Sequence, residues 1–109
     1  INAGNDVTLF TASDFGRTLT SNGDGTDHGW GAHHFVTGGA VRGKDIYGRY
    51  PVIGVNTDDD VGQGRLLPAL SVDQYAGTLA RWFGLSDAQL AEVFPNLRNF
   101  ALADLGFMT

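Results

Sequence analysis

The sequence predicts an α/β chain with strands and long loops first and helices last. Three observations point there. Thirteen of the 16 glycines lie before residue 65. The short β-branched and aromatic runs at 7–11, 35–41 and 51–55 lie in that same Gly-rich stretch, bounded by turn residues as strands are. Beyond residue 70, apolar residues recur at spacings of three and four behind two Ser-x-x-Gln signatures, the pattern of capped amphipathic helices. The expected organisation is a single segment, residues 1–109, with a strand and loop region over 1–70 and a helical tail over 71–109.

The first element is the run Val7-Thr8-Leu9-Phe10-Thr11, read as a strand that follows the turn Gly4-Asn5-Asp6. A polar loop rich in Gly, Asn and Asp is expected over 20–31. A second strand is expected around Phe35-Val36-Thr37 and Ala40-Val41, with a bulge or close backbone approach at Gly38-Gly39. Pro51-Val52-Ile53-Gly54-Val55 reads as a third strand at an edge, because Pro lacks the N–H that a central strand needs. Asp58-Asp59-Asp60 opens an acidic loop, read as solvated.

Two capping boxes follow. In Ser71-Val72-Asp73-Gln74 and Ser86-Asp87-Ala88-Gln89, each Ser can accept from an early backbone N–H and each Gln can reach back to the cap. The first helix should run over 72–83, with Val72, Tyr75, Ala76, Leu79, Trp82 and Phe83 on one apolar face. Gly84 suits a left-handed C-cap. The second helix should occupy 87–93 and stop before Pro95. Phe100, Leu102, Leu105, Phe107 and Met108 form an apolar C-terminus that has to dock.

Composition excludes several functions. With 42% hydrophobic residues the chain can pack a core and is not a disordered tail. Twelve acids against seven bases, net charge -5, provide no basic stripe for nucleic acid and no attraction to an anionic membrane. There are no cysteines, so neither disulfides nor thiolate zinc sites form. No apolar run is long enough to insert across a bilayer. Ile1 in place of an initiator Met suggests a processed or excerpted chain.

Chemistry-bearing residues concentrate in the first half. Asp14-Phe15-Gly16-Arg17-Thr18 leaves the carboxyl end of the first strand, where open α/β sheets place ligands. Asp14 suits a metal ligand or a base, or a turn cap; Arg17 suits an anion clamp, or an ion pair with an acid. Asp24-Gly25-Thr26-Asp27-His28-Gly29-Trp30-Gly31-Ala32-His33-His34 holds two carboxylates and all three imidazoles. Such a set favours zinc, manganese or iron over calcium; as a structured polar loop it has no such role. His33 and His34 are adjacent, so on a strand only one faces any given site.

The segments Val7 to Thr18, Gly25-Thr-Asp-His-Gly-Trp-Gly-Ala-His-His34, Gly38-Gly39-Ala-Val-Arg-Gly43 and Ser71-Val-Asp-Gln-Tyr-Ala76 resemble those of domain-of-unknown-function family 1501. That group of exported bacterial proteins in turn resembles the alkaline phosphatase and sulfatase superfamily. The resemblance implies the C-terminal portion of an alkaline-phosphatase-like domain, a partial, mostly parallel sheet flanked by helices. It implies a periplasmic or secreted location. It also implies a divalent metal, zinc or manganese, with Asp14, Asp27 and His28 as ligands. Arg17 would contact the oxyanion of a phosphate or sulfate ester, and His33 or His34 would act as an auxiliary ligand or acid. Where the superfamily has an Asp-His-Gly ligand pair this chain has Asp14-Phe15-Gly16, and Phe15 cannot bind metal.

Two functions follow as expectations. One is the metal-binding part of an exported hydrolase of small phosphate or sulfate esters, its nucleophile lying outside these residues. The other is a phosphatase-like scaffold without catalysis, serving as a cell-envelope binding or interaction module. Either way the expected partner is a missing N-terminal portion of the same protein or a second copy, because a few parallel strands leave edges and an apolar face uncovered.

Overall fold

A computed structural model describes residues 2–109. The chain divides into two compact units that interleave in sequence. The first gathers the N-terminal residues through Leu9, Val36–Tyr47 and Leu70–Thr109; the second gathers Phe10–Phe35 and Gly48–Ala69.

Strand β1 (Thr8–Phe10) pairs with a strand formed by Val36–Gly38, and between them in sequence lie β2 (Gly16–Ser21) and β3 (Thr26–Gly29), so the Val36–Gly38 strand is β4. Each pair makes its own two-stranded antiparallel sheet. This overturns the expected mostly parallel, alkaline-phosphatase-like α/β sheet. The reason is connectivity. A parallel pair needs a crossover of a dozen or more residues, usually a helix. Here both helices follow the last strand, and β2 turns directly into β3 through the four residues Asn22-Gly23-Asp24-Gly25.

In the first unit, β4 lies so close to β1 that a Cβ at Gly38 would sit 2.6 Å from the Val7 carbonyl oxygen. The next residue, Gly39, donates its N–H to the Gly4 carbonyl at 3.0 Å. The glycine pair thus marks the close backbone approach that it suggests in the sequence. Helix α1 (Val72–Phe83) carries the full Ser71–Gln74 capping box and ends on Gly84 at φ 114°. Helix α2 (Asp87–Val93) carries the Ser86–Gln89 box, and a short 3-10 turn (Pro95–Asn99) follows. The buried apolar side chains are Ala40, Leu79, Leu90, Leu97 and Phe107.

The C-terminal tail docks on both α1 and the segment after β4. Thr78, 1% exposed, donates its hydroxyl to the Gln74 carbonyl and accepts the Leu105 N–H. Gln74 Nε2 donates to the Leu102 carbonyl at 2.6 Å. Arg42 N–H donates to the Phe107 carbonyl, and Thr109 N–H to that of Ala40, both at 2.8 Å. These bonds turn α1: its buried residues are Gln74, Gly77, Thr78 and Leu79. Of the expected apolar face only Leu79 is buried; Tyr75, Ala76 and Trp82 are half-buried, and Val72 and Phe83 lie bare at 70% and 81% exposure.

In the second unit, β2 and β3 form a hairpin in the register Gly16↔Gly29, Arg17↔His28 and Ser21↔Thr26, with an irregularity between the last two pairs. The stretch expected to be a loop at 20–31 therefore contains much of a sheet. The expected third strand at 51–55 does not form. Val52 N–H turns instead to the Asp59 carboxylate at 2.7 Å, and Thr57 Oγ1 donates to the Val52 and Gly54 carbonyls. The 59–66 loop lies along β2, where Leu19 N–H and Thr20 Oγ1 donate to the Gly64 and Gln63 carbonyls.

Candidate functional site

All of the candidate residues belong to the second unit. The hairpin brings two of them face to face, since Arg17 on β2 is the register partner of His28 on β3. Phe15, just before β2, stacks on the His28 imidazole with ring centroids 3.7 Å apart and planes 15° from parallel. The Arg17 guanidinium carbon lies 4.9 Å from the Phe15 ring centroid, a cation–π distance. Arg17 Nη1 also donates to the Thr26 carbonyl at 2.8 Å, which ties β2 to β3 beyond the ladder itself.

Asp27 precedes His28 on β3. Its Oδ1 accepts from Asn22 Nδ2 at 2.7 Å, and its Oδ2 faces Arg65 Nη2 at 3.8 Å. Arg65 Nε donates to the His28 carbonyl at 3.3 Å. The two remaining imidazoles have other partners. His33 stacks on Tyr50 at 4.8 Å between centroids, and His34 Nδ1 shares a hydrogen bond of 3.1 Å with Thr11 Oγ1. Asp14 is exposed in the turn before β2.

A zinc centre takes three or four protein donors in close convergence. Among the described residues no three His, Asp or Glu side chains converge to hold an ion. Both oxygens of Asp27 face N–H donors, and the His28 ring lies flat against Phe15. These residues do not by themselves fit zinc or manganese.

What sequence reasoning missed is the role of the acid triplet. Asp59 is 7% exposed and clamped by Arg49, whose Nη1 donates to its Oδ2 at 2.8 Å and whose Nη2 donates to its Oδ1. The Arg49 hydrogen bonds, then the Val52 N–H, hold the Asp59 carboxyl down at about 2. Asp60 accepts from the N–H groups of Asn56, Gly62 and Gly64 at 2.7–2.8 Å, and these donors hold its carboxyl below the ordinary range. The two carboxylates organise the 49–66 loop from within and are not a solvated run. The glycines after Asp60 were the available signal, because successive backbone N–H groups around a carboxylate need left-handed residues: Gly62, Gln63 and Gly64 all have φ between 61° and 119°.

A family model described as a protein of unknown function, DUF1501, matches residues 2–94. The chain belongs to the DUF1501 family. No curated protein and no solved structure gives a significant match. Membership in this family names no activity, and the likeness to alkaline phosphatases and sulfatases that the sequence suggested does not extend to the fold. Among the described residues no helix is long and apolar enough to cross a membrane.

Proposed function

We propose that this DUF1501 chain is a docking module. It binds a further segment of polypeptide through its apolar surface and presents the β2–β3 hairpin, with Arg17, Asp27 and His28, to the assembled protein. One observation carries the reading: 17 large apolar side chains are exposed among the described residues, against five apolar residues buried. Scattered exposed apolar residues are ordinary, whereas grouped ones mark an interface. Here several are close neighbours along the chain. Val7 and Leu9, two residues apart and so on one face of the chain at β1, are 65% and 70% exposed. Tyr50, Val52, Ile53 and Val55 follow one another at 44–57%. Val72 and Phe83 leave the ends of α1 bare.

Burying a Val, Leu or Ile side chain fully contributes roughly 1.5–3 kcal/mol. Because these side chains are 44–81% exposed, covering half of them contributes on the order of 7–15 kcal/mol, comparable to the net stability of a typical small domain, about 5–15 kcal/mol. The proposed occupant is polypeptide outside these 109 residues rather than a second copy. Exposed apolar groups occur in both units. By the family resemblance the proposed setting is the periplasm or the exterior of the cell.

Sedimentation velocity and dye binding test this on the isolated chain. The expected result is self-association or strong binding of a hydrophobic dye, both abolished when the remaining polypeptide is co-expressed. A cooperatively melting monomer that binds no dye overturns the proposal. Hydrolysis of phosphate or sulfate esters is the second reading, favoured by Arg17 standing opposite His28 with Asp27 beside it. It requires further donors from the docked segment. Stoichiometric zinc or manganese in the assembled protein, lost in His28→Ala, would support it.

A further inference from the structure

The 60–65 loop holds a residue whose contacts are out of proportion to its place in an exposed turn. Arg65 spends every nitrogen of its guanidinium. Nη1 donates to the Gly62 carbonyl at 3.1 Å and to Gln63 Oε1 at 2.8 Å, which anchors the fork to its own loop. Nε and Nη2 reach across to β3, to the His28 carbonyl at 3.3 Å and to Asp27 Oδ2 at 3.8 Å. The planar fork of arginine suits such a bridge, because its donors leave in fixed directions from one rigid group.

The loop that carries Arg65 is itself set by Asp60. Gly62, Gln63 and Gly64 are three successive residues at positive φ. For Gln63 that conformation costs about 1–2 kcal/mol, so the loop needs a fastening. Asp60 Oδ1 provides it by accepting the Gly62 and Gly64 N–H groups, both at 2.8 Å. On the other side, Leu19 and Thr20 of β2 bond the Gly64 and Gln63 carbonyls. A Cβ at Gly64 would lie 2.4 Å from that of Leu19, so the loop packs directly against the strand.

We infer that Arg65 is a positioning residue for the Asp27–His28 pair, and that the Asp60 carboxylate, through its loop, sets Arg65 in place. The inference rests on the proposal that the hairpin is what this module presents, and it deepens that proposal. Asp27 is held on one oxygen by Asn22 and faces Arg65 on the other, while His28 is held by Phe15 at its ring and by Arg65 at its carbonyl. Removing Arg65 takes the side-chain donor from the His28 carbonyl, so that the stack on Phe15 is the contact left to hold the residue in place, and frees one carboxylate oxygen of Asp27.

NMR of the full chain reads this at His28. In this sequence His28-Gly29 is the one His-Gly step, so carbonyl-13C histidine combined with 15N-glycine yields a single correlated signal from the His28 carbonyl. The stacked Phe15 ring shifts the His28 ring protons upfield, and Phe15→Ala calibrates the loss of that shift. Arg65→Gln is expected to move the carbonyl signal and to lose much of the upfield ring shift. Arg65→Lys keeps charge near Asp27 but cannot bridge both groups, so it restores the ring shift in part and the carbonyl signal not at all. Asp60→Asn should reproduce Arg65→Gln in weaker form. Unchanged His28 carbonyl and ring signals in Arg65→Gln, or in Arg65→Lys should the first variant unfold, overturn the inference. The readout is separate from that of docking: a dye-free, cooperatively melting monomer with the expected His28 shifts would sink the docking proposal and leave Arg65 in its role.

Discussion

Gly16→Ala is the most demanding single perturbation of the hairpin. A Cβ at position 16 would lie 1.9 Å from the Gly31 carbonyl oxygen and 2.7 Å from its carbon. Real Cβ atoms are essentially never closer than 3.0 Å, so the contact has to open from 1.9 to at least 3.0 Å, more than 1 Å. Both sides of it are backbone, and neither can rotate away. Gly31 is in turn fixed against the 59–66 loop, where its own Cβ would meet the Leu66 carbonyl oxygen at 2.6 Å. The displacement therefore falls on the Gly16↔Gly29 end of the ladder, next to Arg17 and His28. Overpacking of this kind costs about 1–3 kcal/mol, and the ladder bonds lost at that end add about 1 kcal/mol. A total of about 3 kcal/mol in a chain of this length lowers the melting midpoint by roughly 12–24 °C. Gly25→Ala is the control, because nothing lies within 4 Å of its Cβ and its φ is not positive. Thermal melts paired with amide exchange over β2 and β3 report both effects. If Gly16→Ala melts with Gly25→Ala, the close approach between residues 16 and 31 is not a feature of the molecule and the hairpin described here is wrong.

Other consequences are smaller. Asp59 has its carboxyl lowered from 3.8 to about 2 in the folded chain, so its contribution is complete above about pH 4 and disappears as pH falls towards 2; acid titration of amide exchange over 49–67 should show this loosening, and Asp59→Asn should remove it. Thr78→Val keeps the shape but leaves the Leu105 N–H without its acceptor, and should cost about 1–3 kcal/mol in chemical denaturation. Ser71→Ala removes the acceptor of the Asp73 N–H at the start of α1, and a loss of about 1 kcal/mol in the same assay is expected.

The spans and caps of the helices were legible in the sequence; the sheets were not. Both capping boxes, both helical spans and the Gly84 cap appear where the side-chain chemistry places them, because caps are local. Which face of α1 is buried was not local. Gln74 and Thr78 bind the C-terminal tail through hydrogen bonds, and that turns the helix away from the face that hydrophobic spacing picks out. The β2–β3 hairpin hid behind its composition: Gly and Asp are weak strand formers and mask the β-branched Thr18, Thr20 and Thr26, yet Asn22-Gly23 at its turn is a recognised hairpin sign. Residues 51–55 carried a strong strand signal and formed none, since the Asp59 carboxylate takes the Val52 N–H. At the candidate site, the sequence neighbours Asp27 and His28 stay together and Arg17 joins them through register. Asp14 is exposed in the turn before β2, His33 stacks on Tyr50 and His34 bonds Thr11, and Arg65 reaches the pair from 37 residues away, a separation no spacing motif conveys.

The central claim is that the bare apolar groups are covered by other polypeptide. Hydrogen–deuterium exchange of the isolated chain, set against the same residues within the assembled protein, tests it directly. Marked slowing on assembly is expected over 7–10, 50–55 and the C-terminal end of α1, with little change at the buried Gln74, Gly77, Thr78 and Leu79. Identical exchange in the two states, with those segments equally open, would contradict it.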